Sequence, residues 1–132
     1  MYLRKFVTKD NFTRVYITVL NGLLQLTPRE IDVFSALMKI DLVWQPKMDG
    51  DLKNLMSTDN RRLIMKNANI SKANLTRAVK KFISVGIIEV QSDGRYLIPE
   101  LMKPIIDKEN KINIHFVLDL NKPTDEKNKQ KG

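Results

Sequence analysis

The residues of this chain whose types and spacing could do chemistry are cations gathered in one stretch. Residues 61–88 hold seven lysines and arginines and no aspartate or glutamate, although the whole chain has 23 basic and 15 acidic residues. A soluble surface normally mixes both signs of charge, and packing alone does not exclude carboxylates. Phosphates do exclude them, because they repel carboxylates and release counterions when Lys and Arg approach. The seven cations are Arg61, Arg62, Lys66, Lys72, Arg77, Lys80 and Lys81.

A regular helix is predicted to hold most of these cations on one side. Ser71 can cap a helix from Lys72 to Val85, and Gly86 can end it in the left-handed conformation. Each residue turns by about 100° around a helix axis, which places an apolar stripe opposite a polar, cationic side. The apolar stripe is Leu75, Ala78, Val79, Phe82 and Ile83, and the opposite side is Ala73, Arg77, Lys80 and Ser84, flanked by Asn74, Thr76 and Lys81.

This polar side has the composition of a recognition helix. A major groove about 12 Å wide admits an α-helix, and small or amide side chains near the helix N-terminus let it reach base edges. The alternative is a solvated cationic face, since charge patterning also occurs on helices that contact only water. The candidate DNA-binding residues are Arg61, Arg62, Ser71, Lys72, Ala73, Asn74, Arg77, Lys80, Lys81 and Arg95.

Two further helices must precede the recognition helix. Thr27, Pro28 and Glu30 form a capping-box pattern, which predicts a helix that starts at Pro28 and ends near residues 39–41. A shorter helix is predicted after a cap at Ser57, Thr58 or Asp59, and a tight turn at 67–69 separates it from the recognition helix. The expected inward residues are Ile31, Phe34, Leu37, Met38 and Leu42 in the first helix and Leu63, Ile64 and Ala68 in the second.

A β-hairpin is predicted directly after Gly86. The runs "IIEV" and "RYLI" are rich in β-formers and flank an Asp93-Gly94 turn. Arg95 would lie near the tip of this hairpin, suited to a backbone phosphate or the minor groove, or would be a simple surface residue beside the turn. Helix, tight turn, helix and hairpin is the order of a winged helix. The predicted fold is therefore mainly α with small β, a winged helix-turn-helix with a C-terminal strand.

The rest of the chain is predicted to complete one domain over residues 1–120. Tyr2–Thr8 is interpreted as a strand or arm, and the spacing of apolar residues from Phe12 favours a helix over a strand. Residues 43–57 read as a connecting loop, since Pro46 and the Asp49-Gly50 pair disfavour a regular element. Alternating apolar residues predict a final strand over Ile112–Leu118. Residues 121–132 are polar and are expected to form a disordered tail.

Several classes of function are disfavoured by what the sequence lacks. There is no cysteine, which excludes disulfides and Cys-ligated metals, and there is one histidine, which leaves no histidine pair for a metal or a nuclease site. His115 is interpreted as a surface or satisfied histidine, and Asp49 and Asp51 as turn residues rather than cation ligands. No glycine-rich phosphate loop is present. We therefore expect no enzymatic activity and no cofactor.

The expected location is the cytoplasm. The formal net charge of +8 attracts polyanions, which are nucleic acids or anionic membrane surfaces. No stretch approaches the roughly 18 apolar residues of a spanning helix, and the N-terminus is broken by charges, so neither a signal peptide nor a membrane partner is expected.

The order of several segments resembles the RepL family of small plasmid replication proteins from Firmicutes, and winged-helix replication or regulatory proteins of phages. The similar segments are "NFTRVYI", "LLQLTPREIDVFSAL", "NISKANLTRAVKKFISVGII", "YLIPEL" and "INIHFVL", within residues 11–120, while residues 43–57 have no counterpart. This resemblance implies initiation of replication by origin binding, with host enzymes supplying the chemistry. It assigns recognition to Ser71, Lys72, Asn74, Arg77 and Lys81.

Three hypotheses follow. The first is a non-enzymatic binder of double-stranded DNA that initiates replication of a plasmid or phage. The second is a transcriptional regulator on the same fold, because origins and promoters are read by the same contacts. The third is a protein-binding accessory subunit of a polymerase or replisome. The expected partners are double-stranded DNA, a second copy of the chain, and host or phage replication or transcription proteins.

Overall fold

One central helix organises the protein. The computed structural model describes residues 4–121 and contains α1 (Phe12–Leu24), α2 (Pro28–Val43), α3 (Thr58–Ala68) and α4 (Lys72–Ser84). Helix α2 contacts each of the other three helices. The strands β1 (Glu89–Val90) and β2 (Tyr96–Leu97) form a two-stranded antiparallel sheet. The expected mainly helical fold with small β content is thus confirmed.

The start of α2 follows directly from its sequence. The Thr27 hydroxyl accepts a hydrogen bond from the Glu30 N–H at 3.2 Å, and the Glu30 carboxylate accepts one from the Thr27 N–H at 2.8 Å. This capping box satisfies two backbone donors that have no partner within the helix. The predicted end near residues 39–41 was wrong, since α2 continues to Val43. Asp41 is buried at the predicted end, and Leu42 in the extension is exposed rather than inward.

The turn between α3 and α4 spans only residues 69–71. Asn69 ends α3 in the left-handed conformation with φ of 51°, which asparagine tolerates better than most residues. The Ile70 N–H then donates to the Met65 carbonyl at 3.1 Å, a Schellman ending. Ser71 caps α4 as predicted, its hydroxyl accepting from the Asn74 N–H at 3.2 Å. The tight helix-to-helix connection is therefore built from two side chains that suit its two ends.

The hairpin also forms where its sequence indicates. Glu89 pairs with Leu97 and Val90 with Tyr96, and Gly94 in the turn has φ of 89°. A third segment lies beside β2, because the Leu55 N–H donates to the Tyr96 carbonyl at 2.9 Å. The loop before α3 is thus fastened to the hairpin.

The hydrophobic core is centred on the packing of α2 against α4. The Phe34 and Phe82 rings meet edge to face with centroids 5.1 Å apart, a favourable arrangement for aromatic pairs. Burial of Leu75, Ala78 and Val79 confirms the centre of the predicted inner side of α4. In α3 only Ile64 is buried, and the prediction that Leu63 faces inward was wrong, since Leu63 is 46% exposed. The other fully buried side chains include Ile17, Val33, Leu37, Met38, Leu55, Ile64, Ile87 and Ile88.

Two predicted strands are not formed in the described residues. Residues 4–8 are not a strand, and Tyr2 and Leu3 lie outside the described range. The predicted strand at Ile112–Leu118 is reduced to a single bridge between Ile106 and Ile112, because no neighbouring strand pairs with the rest of it. The predicted tail beyond residue 121 also lies outside the described residues. Within residues 4–121 no helix has the length and apolarity needed to cross a membrane.

Gly86→Ala is expected to lower the free energy of unfolding by about 1–2 kcal/mol, because Gly86 has φ of 84° and a Cβ is disfavoured there. Gly22→Ala is the matched control: Gly22 lies in α1 with open space around it, so alanine should stabilise by up to about 1 kcal/mol. Urea unfolding monitored by circular dichroism measures both changes. Equal effects of the two substitutions would contradict the left-handed ending of α4.

Candidate nucleic-acid interface

The outer side of α4 is fully presented to solvent. Most of its exposed side chains are the ones predicted from the helical rotation, while Leu75, Ala78, Val79 and Phe82 lie beneath them. Ile83 was predicted to face inward and is instead 37% exposed, because it lies at the edge of the buried stripe in the last turn of α4. We call the exposed set the α4 outer face: Lys72, Ala73, Asn74, Thr76, Arg77 and Lys80.

The N-terminus of α4 has the wrong charge for a helix selected only for stability. Helix N-termini carry partial positive charge, so acidic residues in the first turn stabilise a helix and basic ones oppose it. The first turn of α4 has no acidic residue and starts with Lys72. A local departure from stabilising chemistry is expected at functional sites. The positive end of the helix and Lys72 together form an attractive position for an anion.

Two polar groups on the α4 outer face are coupled. The Arg77 guanidinium donates to the Asn74 side-chain oxygen at 3.1 Å, one helical turn away. This contact restrains the Arg77 side chain, which is exposed and has further guanidinium donors. Arg and Asn are the side chains that make bidentate hydrogen bonds to guanine and adenine in the major groove. The pair therefore has the donors and acceptors that base recognition needs.

Lys81 differs from the rest of its group. Its ammonium lies 3.2 Å from a carboxylate oxygen of Glu30, and its side chain is only partly exposed. Burial acts to raise the pKa of Glu30, but the hydrogen bonds from Thr27 and Lys81 outweigh it, so the pKa lies below its usual value. The structure thus places the predicted contact Lys81 in an ion pair that joins α4 to the start of α2.

Arg95 also has partners within the chain. Its guanidinium lies 2.7 Å from the Asp93 carboxylate and donates to the Lys53 carbonyl at 3.1 Å. The side chain folds back towards the loop before α3 and is about one quarter exposed. In this conformation Arg95 fastens the hairpin rather than extending from its tip, contrary to the expected position. A contact with DNA would require it to leave these partners.

The cations of α3 form no ion pair within the described residues. Arg61, Arg62 and Lys66 are exposed, and none lies within 4.0 Å of a carboxylate in residues 4–121. The same is true of Lys72, Arg77 and Lys80 on the α4 outer face. As far as the described part of the chain shows, six cations of the acid-free stretch are therefore available to an external anion, and Lys81 is the one that forms an ion pair.

Some residues that shape this region carried no signal in the sequence. Asn54 holds the loop to the hairpin, since its side-chain oxygen accepts from the N–H groups of Met56 and Tyr96. Its carbonyl accepts from the side chain of Asn60 in α3 at 2.9 Å. Only the fold brings these residues together. Glu30 is a partial exception. Its role in the capping box follows from the sequence, but its ion pair with Lys81 does not.

Comparison of the chain with protein-family models, with characterised proteins and with solved structures finds no match.

Proposed function

We propose that this protein is a non-enzymatic double-stranded DNA-binding protein that places the α4 outer face in a major groove. The observation that carries the proposal is the presence on α3 and α4 of six cations that have no carboxylate partner within residues 4–121, in a stretch of 28 residues that contains no acid. Protein stability does not require that exclusion. A polyphosphate surface does, because each neutralised phosphate releases a counterion and each carboxylate would be repelled.

The arrangement of elements supports a winged helix-turn-helix. Helices α3 and α4 are joined by three residues, and the β1–β2 hairpin follows α4 after a glycine ending. In helix-turn-helix proteins the second helix of such a pair enters the major groove while the first crosses the backbone. Arg61 and Arg62 on α3 are then the phosphate contacts, and the Asn74–Arg77 pair reads bases. The hairpin would be the wing.

The biological role that we favour is initiation of replication of a plasmid or phage. This part rests on the resemblance to the RepL family carried by the order of the segments from residue 11 to 120. A transcriptional regulator would use the same contacts at a promoter. Footprinting the protein on its own replicon separates the roles, because an initiator protects the origin and a regulator protects a promoter.

Selection of bound sequences from a pool of random duplexes tests DNA binding and identifies the recognised DNA sequence in the same experiment. The expected result is enrichment of a short motif by the native protein, with loss of preference at one or two positions in the Arg77→Ala variant. A matched variant is Lys47→Ala, which removes an exposed cation from the loop before α3. Its selected motif should equal that of the native protein. Failure of the native protein to enrich any sequence would contradict specific recognition.

Glu30→Gln is expected to increase affinity for duplex DNA several-fold. Glutamine still completes a capping box, so α2 is retained, but Lys81 loses its carboxylate partner and becomes available to phosphate. The slope of log affinity against log salt should steepen by roughly 0.9 for one added phosphate contact. Fluorescence anisotropy at several salt concentrations measures both quantities.

Glu109→Gln is the control for this effect, because it removes the same charge and frees Lys111 from a 2.8 Å ion pair outside the helices. It should change affinity less and leave the slope unaltered. An identical response of the two variants would indicate that only net charge matters.

A further inference from the structure

An extended apolar segment near the end of the described chain lacks a partner. Beyond the bridge between Ile106 and Ile112, no backbone group of residues 114–120 makes a hydrogen bond to another backbone group within residues 4–121. Ile112 and Ile114 pack partly against the core, whereas Val117, Leu118 and Leu120 are between 85% and 102% exposed. Unpaired β-forming backbone with exposed apolar side chains is a template for strand addition.

The other described segments leave this one uncovered. Within residues 4–121 no segment makes a backbone hydrogen bond to residues 114–120. A second molecule can supply a strand of comparable length and apolarity.

The segment is complementary to a second copy of itself. In a symmetric antiparallel pair centred on His115, Ile112 lies opposite Leu118 of the second copy, and Ile114 lies opposite Phe116. Side chains of residues that lie opposite each other point to the same face of the sheet. The apolar face of one strand therefore continues across the pair. The exposed Leu118 of each copy would extend the apolar surface that Ile112 and Ile114 begin.

Charge selects this register over its neighbours. Centring on His115 places Lys111 directly opposite Asp119, and the symmetry makes this pair twice. Within one chain the Lys111 ammonium lies 2.8 Å from Glu109 in an exposed ion pair, which it would share with or exchange for Asp119 of the second copy. Centring one residue earlier, on Ile114, would set Glu109 against Asp119, and like charges directly opposite destabilise a strand pair. Centring on Phe116 instead would leave Asp119 opposite Asn113, with no opposite charge.

We propose that residues 111–119 form the interface of a homodimer, as an antiparallel strand pair centred on His115. The backbone groups of residues 114–119 then gain the backbone partners that they lack within one chain. The interface lies outside α3 and α4 and leaves both exposed. This inference does not rest on DNA binding, since the oligomeric state is measured without DNA.

Sedimentation equilibrium of the full chain across the micromolar range tests the interface. The native protein should be a dimer that dissociates on dilution. Asp119→Lys should raise the dimer dissociation constant at least about tenfold, because it places two lysines opposite each other twice per dimer. Asp49→Lys, an identical charge change in the loop before α3, should leave the dissociation constant unaltered. Adding Lys111→Asp to Asp119→Lys should restore the dimer, because it exchanges the two charges.

The outcomes separate clearly because all three altered side chains are exposed and circular dichroism can establish that each variant is folded. A native protein that is monomeric throughout the range would overturn the proposal. So would a dimer that Asp119→Lys does not weaken, or one that the charge exchange fails to restore.

Discussion

Replacing Arg77 and Lys80 together by glutamate is expected to weaken binding to duplex DNA by about 100-fold or more. Each residue lies at the centre of the α4 outer face, and each substitution removes a cation and adds a charge that phosphates repel. Arg77→Ala alone should cost about 1–3 kcal/mol of specific binding if its guanidinium reads a base. Fluorescence anisotropy with a labelled duplex measures these losses, and circular dichroism checks that the helix content is unchanged.

A matched double variant distinguishes a local interface from general attraction. Lys9→Glu with Lys47→Glu makes the same change in net charge at exposed positions outside α3 and α4. Its affinity should fall far less than that of the double variant in α4. Equal losses in the two proteins would mean that the net charge of the whole chain, rather than the α4 outer face, attracts DNA.

Asp41→Ala is expected to lower the free energy of unfolding by about 3 kcal/mol. The Asp41 side chain is almost fully buried and lies 3.0 Å from the ammonium groups of both Lys53 and Lys103. Removing one partner of a buried ion pair leaves the remaining charges poorly compensated, which typically costs about 3 to 5 kcal/mol. We expect about 3 kcal/mol here, because both lysines keep some contact with water. Urea unfolding at neutral pH measures the loss.

This cluster connects three distant segments of the chain. Asp41 lies in α2, Lys53 precedes α3, and Lys103 follows the short 3-10 helix Glu100–Met102. Burial acts to lower the pKa of Lys103, but the hydrogen bonds to Glu100 and Asp41 outweigh it and raise the pKa above its usual value. Lys103 is thus held in its charged form within the fold.

Replacing all three charges tests that explanation. A variant with Asp41→Leu, Lys53→Met and Lys103→Met should recover much of the stability lost in Asp41→Ala, because apolar residues of similar volume often replace buried ion pairs without cost. A triple variant that is less stable than Asp41→Ala would show that the two lysines stabilise the fold by contacts other than Asp41.

The features that were predictable from the sequence are those that depend on near neighbours. Thr27 and Glu30 are three residues apart, and Ser71 and Gly86 bound a helix whose inner side follows from its rotation, so local patterns sufficed. Long-range partners could not be predicted in this way. Lys81 meets Glu30, and Arg95 meets the Lys53 carbonyl, only after the chain has folded.

The final strand shows a different limit. Its alternation of apolar residues predicts a strand, but a strand exists only when a neighbour supplies hydrogen bonds, and beyond the bridge at Ile112 no described segment does so. The burial of Asp41 near the end of α2 has a related cause, because it depends on two lysines that approach from other segments. In both cases the sequence within the element does not contain its partners.

The dependence of duplex affinity on salt concentration tests the central claim most directly. If the six available cations of α3 and α4 contact phosphates, log affinity should fall linearly with log salt, with a slope of roughly −3 to −5. The double variant with glutamate at positions 77 and 80 should show a clearly shallower slope. Affinity that does not change with salt, or the absence of binding at low ionic strength, would contradict the account.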